Sequence, residues 1–234
     1  MAKKIAEQLI ETIEKAGIKR IYAVTGDSLN EVNDAVRRTG LVQWVHVRHE
    51  EVGAYAAAAE AELNGIACCA GSSGPGHVHL INGLYDANRS GASVLAIAST
   101  CPSTEYGTSY FQETNTIKLF DDCSGYNQIA NTPTQFSRML QAALQHTIHR
   151  KEVAVLGLPG DLAAKNAEES PTARFAMLSK PVYRPQDNEL QKLARLINSS
   201  SKITIYCGIG AKEAHDQIIE LASLLKAPVG YTFR

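Results

Sequence analysis

Short β-rich runs alternate with helical runs along most of the chain, and this alternation constrains the fold more than any other feature. Before residue 160 the strand patterns are RIYAVTG, VQWVHV, IACCA, ASVLAIAS, GYNQIA and EVAVLGLP. Repeated β–α units predict an α/β fold in which a parallel sheet carries helices on both faces. Such a sheet binds ligands beyond the carboxyl ends of its strands.

A polar stretch with three prolines, residues 160–185, interrupts this alternation. We interpret residues 163–185 as a linker between a first domain, residues 1–162, and a second α/β domain that starts at residue 186. Residues 186–234 hold two strand patterns and two helical patterns, which are too few to close a core of their own. The sequence therefore predicts that the second domain is incomplete.

Composition argues against several classes of function. The net charge of −1 gives no basic face, so we expect no nucleic acid partner. No run approaches the roughly eighteen apolar residues of a membrane-spanning helix, and the first residues form an amphipathic pattern rather than a signal peptide. The five cysteines include no CxxC pair, which predicts buried, reduced thiols in a cytoplasmic protein.

Glu50 and Glu51 stand where a strand pattern gives way to an alanine-rich helix. The helix dipole favours a carboxylate in the first turn, so capping alone would explain Glu50. The alternative is that Glu50 lies at the carboxyl edge of the sheet and contacts a cofactor, while Glu51 is solvated. The alanines between residues 54 and 61 either simply favour the helix or allow close approach at a subunit contact.

Three turns could hold a ligand, although each one alone is a weak signal. GSSGPGH, residues 71–77, exposes backbone N–H groups at a helix start but lacks the Lys-Ser/Thr pair of a Walker A loop. SYFQET, residues 109–114, places an aromatic, an amide and an acid in a long loop. CGIGAKE, residues 207–213, lacks the third glycine of the dinucleotide fingerprint. The histidine spacing predicts no metal site.

Five stretches in the same order resemble the N-terminal, pyrimidine-binding domain of thiamine-diphosphate enzymes, with pyruvate oxidases and bacterial quinone-reducing pyruvate dehydrogenases as the most similar group. The stretches are VTGDSLN, RHEEVGAYAAAAEAELNG, CAGSSGPGHVHLINGLYDA, YFQET and GLPGDLA. The resemblance extends over essentially the whole chain. It implies thiamine diphosphate with Mg²⁺ as cofactor and pyruvate or a related 2-oxo acid as substrate. It also implies that Glu50 shares a proton with N1′ of the aminopyrimidine, which activates the cofactor.

The same resemblance assigns further residues. Phe111 and Gln112 would face the 2-oxo acid, and Gly208 and Gly210 would begin a central domain that holds FAD. His77 departs from the asparagine expected after GPG. The implied cofactor neighbours are Thr25, Gly26, Asp27, Ser73, Gly74, Pro75, His79 and Asn82.

The resemblance implies a homodimer or homotetramer, because the cofactor lies between the pyrimidine domain of one subunit and the diphosphate domain of another. The Gly-Asp-Gly…Asn magnesium motif does not occur in the sequence. We therefore expect no metal ligand in this chain, and neither tight cofactor binding nor pyruvate oxidation by the chain alone. Membrane contact would need a C-terminal region that the chain lacks. Two alternatives remain: an acetolactate-synthase-type enzyme, and a non-catalytic dimerisation or ligand-binding module.

Overall fold

A computed structural model describes residues 2–168 and 182–233, which belong to two compact units, Met1–Pro181 and Val182–Arg234. The larger unit contains a single six-stranded parallel sheet. Its strands are Arg20–Ala23 (β1), Gln43–His46 (β2), Ala67–Gly71 (β3), Val94–Thr100 (β4), Tyr126–Ile129 (β5) and Ala154–Pro159 (β6). Their order across the sheet is β2-β1-β3-β4-β6-β5.

The helices of this unit follow the predicted pattern, except that two short ones, Thr116–Leu119 and Gly160–Ala164, lie in stretches for which no helix was predicted. They are Ile5–Lys15 (α1), Asn30–Thr39 (α2), Glu50–Asn64 (α3), Pro75–Val78 (α4), Ile81–Arg89 (α5), Thr116–Leu119 (α6), Pro133–Arg150 (α7) and Gly160–Ala164 (α8). Pro75 occupies the first turn of α4, as predicted, because a missing N–H costs nothing there. The long helix predicted after the GSSGPG turn is divided into α4 and α5.

Hydrophobic cores lie on both faces of the sheet, which confirms the predicted fold class. Strand side chains alternate between the faces, so Cys68 and Ala70 of β3 join one core while Ala67 and Cys69 join the other. The first core includes residues of α1, α2, α7 and α8, and the second includes residues of α3 and α5. Both central strands, β3 and β4, are fully buried.

The strand order creates a crevice at the carboxyl end of β1. The chain passes from β1 to β2 on one side and then to β3 on the other side of β1. Ligands bind parallel sheets at such topological switch points, because the two connections leave the sheet in opposite directions. The segments that follow β1, β2 and β3 therefore surround the position where a ligand is expected.

Close packing of small residues positions α3. Ala54, Ala57, Ala58 and Ala61 are buried, so these alanines are not surface filler. A Cβ atom at Gly83 of α5 would lie 2.5 Å from the Cβ of Ala54. The glycine and alanine side chains thus let α3 and α5 meet almost backbone to backbone.

The start of α2 differs from the sequence-based expectation. We predicted a helix capped by Asp27 or Ser28, but a 3-10 turn spans Asp27–Leu29 and α2 begins at Asn30 without a side-chain cap. Ser28 is engaged in tertiary contacts instead, because its Oγ accepts the backbone N–H of Ser73 at 2.9 Å. Gly40 ends the helix in the left-handed conformation, as predicted.

The first residues of the predicted linker pack with the larger unit. Ala163 of α8 is buried, the N–H of Ile5 donates to the carbonyl of Lys165 at 2.9 Å, and that of Ala167 donates to the carbonyl of Lys3 at 2.7 Å. Residues 163–167 therefore do not act as a linker. Residues 169–181 lie outside the described residues, so the rest of the predicted linker stays a prediction.

The smaller unit contains Asp187–Ser199 (α9), Ile205–Cys207 (β7), His215–Leu225 (α10) and Val229–Tyr231 (β8), with a 3-10 turn at Ile209–Ala214. Its two strands pair in parallel. Between residues 182 and 233 no residue is buried, so large apolar side chains are exposed on both helices. Among the described residues, no helix combines the length and apolar character that a membrane span requires.

Four of the five cysteine side chains are buried, namely those of Cys68, Cys69, Cys101 and Cys123. Burial raises the pKa of the Cys69 thiol to about 12. Because the thiolate is the nucleophile, such a group is unreactive at neutral pH. Cys207, which is partly exposed, is the exception.

Candidate functional site

Glu50 lies at the switch-point crevice as the first residue of α3. The N-cap position is His49, so Glu50 does not cap the helix. Its side chain is 11% exposed, and Oε2 lies 3.0 Å from Nδ1 of His79, which follows α4. The imidazole of His49 stacks on that of His79 with ring centroids 4.3 Å apart. The crevice therefore holds a nearly buried carboxyl group with two partly exposed imidazoles beside it.

Glycines form the wall next to this carboxyl group. A Cβ atom at Gly76 would lie 3.4 Å from Oε1 of Glu50 and 3.0 Å from the hydroxyl of Ser72. A Cβ atom at Gly26, after β1, would collide with the Ser72 side chain. Because these positions carry no side chain, the backbone following β1 and β3 can pack closely beside the Glu50 carboxyl group.

The loop between β4 and α6 contacts the same turn. Gln112 has a left-handed backbone with φ of +61°, which is uncommon for a residue with a side chain. Ser73 donates from Oγ to Oε1 of Gln112 at 3.3 Å, and a Cβ atom at Gly74 would lie 2.7 Å from the Cβ of Gln112. Phe111, by contrast, is 77% exposed. Gln112 is therefore fixed beside the turn, whereas Phe111 is largely in solvent.

His77 joins the turn to the β4–α6 loop through a fully buried imidazole. Nδ1 lies 2.8 Å from the carbonyl oxygen of Ser99, and Nε2 contacts the hydroxyl of Thr114. A carbonyl only accepts hydrogen bonds, so Nδ1 carries the proton and Nε2 accepts from Thr114. Burial lowers the pKa of His77, an effect that the bond to Ser99 only partly offsets. His77 is thus a neutral anchor for Thr114, which lies two residues after Gln112.

We expect His77 to make folding stability depend on pH. Because its pKa is lowered in the folded protein, the unfolded chain takes up a proton near pH 6.5 that the folded protein excludes. Stability should be complete above about pH 7.5 and fall as pH decreases through about 6.5, by at most about 1.4 kcal/mol at pH 5.5. Urea unfolding of wild type and His77→Gln at both pH values measures this contribution. An identical pH dependence of the two proteins would contradict the assignment.

The remaining predicted site residues are dispersed. Thr25 and Asp27 are exposed after β1, and Pro75 is exposed at the start of α4. Asn82 donates from Nδ2 to Oε1 of Glu51 at 2.5 Å, rather than contacting Glu50. Gly208 and Gly210 belong to the smaller unit.

Sequence reasoning missed several polar residues of the carboxyl edge. Ser99 of β4 donates from Oγ to the carbonyl oxygens of Ser28 and Leu158, at 2.7 and 3.1 Å. Asp161 accepts from the backbone N–H and the hydroxyl of Ser103, at 2.8 and 2.7 Å. These residues connect the segments that follow β1, β4 and β6. The signal available in the sequence was their common position, within a few residues of a strand end.

The arrangement suits recognition of a polar ring edge. A carboxyl group at a glycine-lined crevice can exchange a proton with a ring nitrogen through one oxygen while the other is held, as Oε2 is held here by His79. The family model described as "Thiamine pyrophosphate enzyme, N-terminal TPP binding domain" matches residues 3–119, which is half of the chain. The chain belongs to the thiamine pyrophosphate enzymes. The matched part of this thiamine pyrophosphate (thiamine diphosphate) enzyme domain includes β1 to β4 and the loop with Gln112.

Individual relatives differ in activity. An uncharacterized 42.6 kDa protein of Pseudomonas amyloderamosa is 47% identical over 98% of this chain. Pyruvate oxidase of Lactiplantibacillus plantarum is 32% identical over 96% of the chain, and chloroplastic acetolactate synthase of Arabidopsis thaliana is 29% identical over 98%. The chain spans 59%, 38% and 35% of the lengths of these three relatives. The family is therefore shared, while the named activities belong to longer proteins.

Proposed function

We propose that this chain supplies the aminopyrimidine half of a thiamine diphosphate site in an enzyme that acts on 2-oxo acids. The observation that carries the proposal is the Glu50 carboxyl group, nearly buried at the switch point with Gly76 beside Oε1. Thiamine diphosphate, when bound, supplies a carbanion that adds to the carbonyl carbon of the substrate. The residues of this chain would bind the pyrimidine ring and control one of its protons.

Each residue of the crevice has a distinct part in the proposal. Glu50 would hold a proton between Oε1 and the ring nitrogen N1′, while the contact of Oε2 with His79 fixes the rotation of the carboxyl group. Gly76 has no side chain, which would let the ring edge approach Oε1. Ser73 orients the Gln112 amide, which would face the 2-oxo acid together with Phe111.

The leading candidate reaction is the oxidative decarboxylation of pyruvate. It is supported by the relationship to the Lactiplantibacillus plantarum pyruvate oxidase. An acetolactate-synthase-type condensation of two 2-oxo acids is the second candidate, supported by the relationship to the Arabidopsis thaliana enzyme. Product analysis with pyruvate separates the two reactions. Oxidative decarboxylation yields a two-carbon acetyl product and reduces an electron acceptor, whereas condensation yields acetolactate and needs no electron acceptor.

Gly208 lines a pocket of about 580 Å³ in the smaller unit, together with Ile209, Lys212 and His215. A Cβ atom at Gly208 would meet only the Thr232 hydroxyl, at 3.9 Å, and one at Gly210 would meet nothing within 4 Å. Neither glycine is therefore required for close approach of another described segment of this unit. No step of the proposed function depends on a flavin or on residues of this unit.

Enlarging Gly76 tests the proposed ring site. In saturation-transfer NMR with thiamine diphosphate, we expect the aminopyrimidine protons to receive more magnetisation from the chain than the protons beside the diphosphate. Gly76→Val should weaken binding by about tenfold, because the Cβ atom would already lie 3.4 Å from Oε1 and a branched side chain would block the approach of the ring. Ala59→Val, on the exposed side of α3, is the control and should bind as wild type. Equal binding by Gly76→Val would contradict the placement of the ring.

A further inference from the structure

His49, Glu50 and His79 bring two imidazoles and one carboxylate together in the crevice. One donor atom from each residue lies within 4.8 Å of the other two. We propose that these three side chains form a binding site for a divalent transition-metal cation, with Zn²⁺ as the best match. This site is distinct from the Mg²⁺ that accompanies thiamine diphosphate, because Mg²⁺ prefers oxygen ligands.

The donor set is one that zinc uses in proteins. Two imidazole nitrogens and a carboxylate oxygen, with water at the fourth position, form a common tetrahedral zinc site. Donor atoms on a tetrahedral zinc ion lie about 3.4 Å apart, given bond lengths of about 2.1 Å. Glu50 Oε2 and His79 Nδ1 are already 3.0 Å apart, so this pair needs only a small expansion.

The two imidazoles can complete the site by rotation. Their rings are nearly parallel, with an interplanar angle of 24°, so both nitrogens must turn toward a common point. The side chains of His49 and His79 are 45% and 42% exposed, which leaves them space to rotate. Glu51, whose carboxylate lies 3.7 Å from Nδ1 of His49, adds negative charge near a bound cation.

A second histidine–glutamate pair provides an internal comparison. Nε2 of His146 lies 2.7 Å from the Glu152 carboxylate, near the amino ends of β5 and β6. Among the described residues, however, no third histidine, cysteine or acid joins this pair closely enough to hold a metal ion. The two pairs differ in the second imidazole, since His49 adds a third donor atom to the pair of His79 and Glu50.

Zinc bound at Oε2 would keep the Glu50 carboxyl group ionised, so the group could not hold the proton that we assign to Oε1 and N1′. If the proposed function is correct, zinc and thiamine diphosphate compete for Glu50. Competition therefore rests on the proposed function, whereas zinc binding itself does not. His49 is not among the residues assigned to the cofactor or substrate. Its substitution therefore tests zinc binding separately from the proposed function.

Calorimetric titration of the metal-free chain with ZnCl₂, without thiamine diphosphate, tests the site. We expect one equivalent to bind, and His49→Gln to weaken binding by more than about tenfold, since even the loss of groups that merely orient a ligand costs that much. His146→Gln and Cys207→Ser should bind as wild type. The absorption spectrum of added Co²⁺ gives a second readout, because tetrahedral coordination produces intense visible bands that an ion pair does not.

Specific results would overturn the inference. No zinc binding by wild type, or equal binding by His49→Gln and His146→Gln, excludes the three-donor site. Thermal unfolding of His49→Gln should match wild type, since the residue is exposed and makes no capping bond. Zinc binding without competition by thiamine diphosphate would keep the metal site and count against the placement of the pyrimidine at Glu50.

Discussion

Glu50→Gln is expected to slow the exchange of the C2 proton of thiamine diphosphate by more than about 100-fold at saturating ligand, because a positioned acid–base group contributes about 10²–10⁴ in rate. Glutamine keeps the size of the side chain and can still contact His79, but its amide cannot take up a proton. A slower exchange in this variant therefore reports the loss of proton transfer and not a change in the shape of the side chain. Exchange into deuterated water, followed by NMR, measures the effect.

Glu51→Gln is the matched control for this experiment. Glu51 is the next residue in α3, carries the same charge and is paired with Asn82 rather than with His79. It should leave the exchange rate within about twofold of wild type. Equal exchange by Glu50→Gln and wild type would remove the catalytic assignment and favour a non-catalytic module that keeps the fold.

Gly83→Val is expected to lower the free energy of unfolding by about 3 kcal/mol, the upper part of the range for overpacked cores. A Cβ atom there would lie 2.5 Å from the Ala54 Cβ and 2.9 Å from the backbone nitrogen of Tyr55. Replacing a helical glycine gains less than about 1 kcal/mol, so the collision dominates. Because Glu50 begins the displaced helix, the crevice should open as well.

Ala59→Val separates this collision from the intrinsic cost of valine in a helix. It adds a branched side chain on the exposed side of α3 and should cost less than about 1 kcal/mol. Urea unfolding followed by circular dichroism measures both variants. Similar midpoints for Gly83→Val and Ala59→Val would show that α3 and α5 are free to separate.

The sheet was predictable from the sequence because β3, β4 and β6 are buried on both faces. Continuous apolar runs such as VLAIAS in β4 identify such strands without any knowledge of their partners. The helix N-terminus at Glu50 was predictable as well. The start of α2 was not, because the Ser28 hydroxyl bonds Ser73, forty-five residues away, instead of capping its own helix.

The candidate site was predictable only in part, because it also depends on contacts between residues that are distant in sequence. Glu50 stands at a strand end that the sequence reveals, but its contact with His79 joins residues twenty-nine positions apart. No spacing rule connects His49 to His79, since the stacking depends on where α4 ends relative to α3. The resemblance paired Phe111 with Gln112, whereas the left-handed backbone of Gln112 brings only the glutamine to the turn.

The all-parallel sheet has a consequence for how the chain acquires its structure. Even the hydrogen-bonded strands nearest in sequence pair residues such as Arg20 and Gln43, which are 23 positions apart. Among the described residues no hairpin joins two strands of this sheet, so long loops must close before strand pairing can stabilise the chain. Refolding should therefore take milliseconds to seconds or longer. During this time the apolar segment VLAIAST of β4 is exposed and unpaired. Dilute, cool conditions during synthesis should favour the native protein over intermolecular strand pairing.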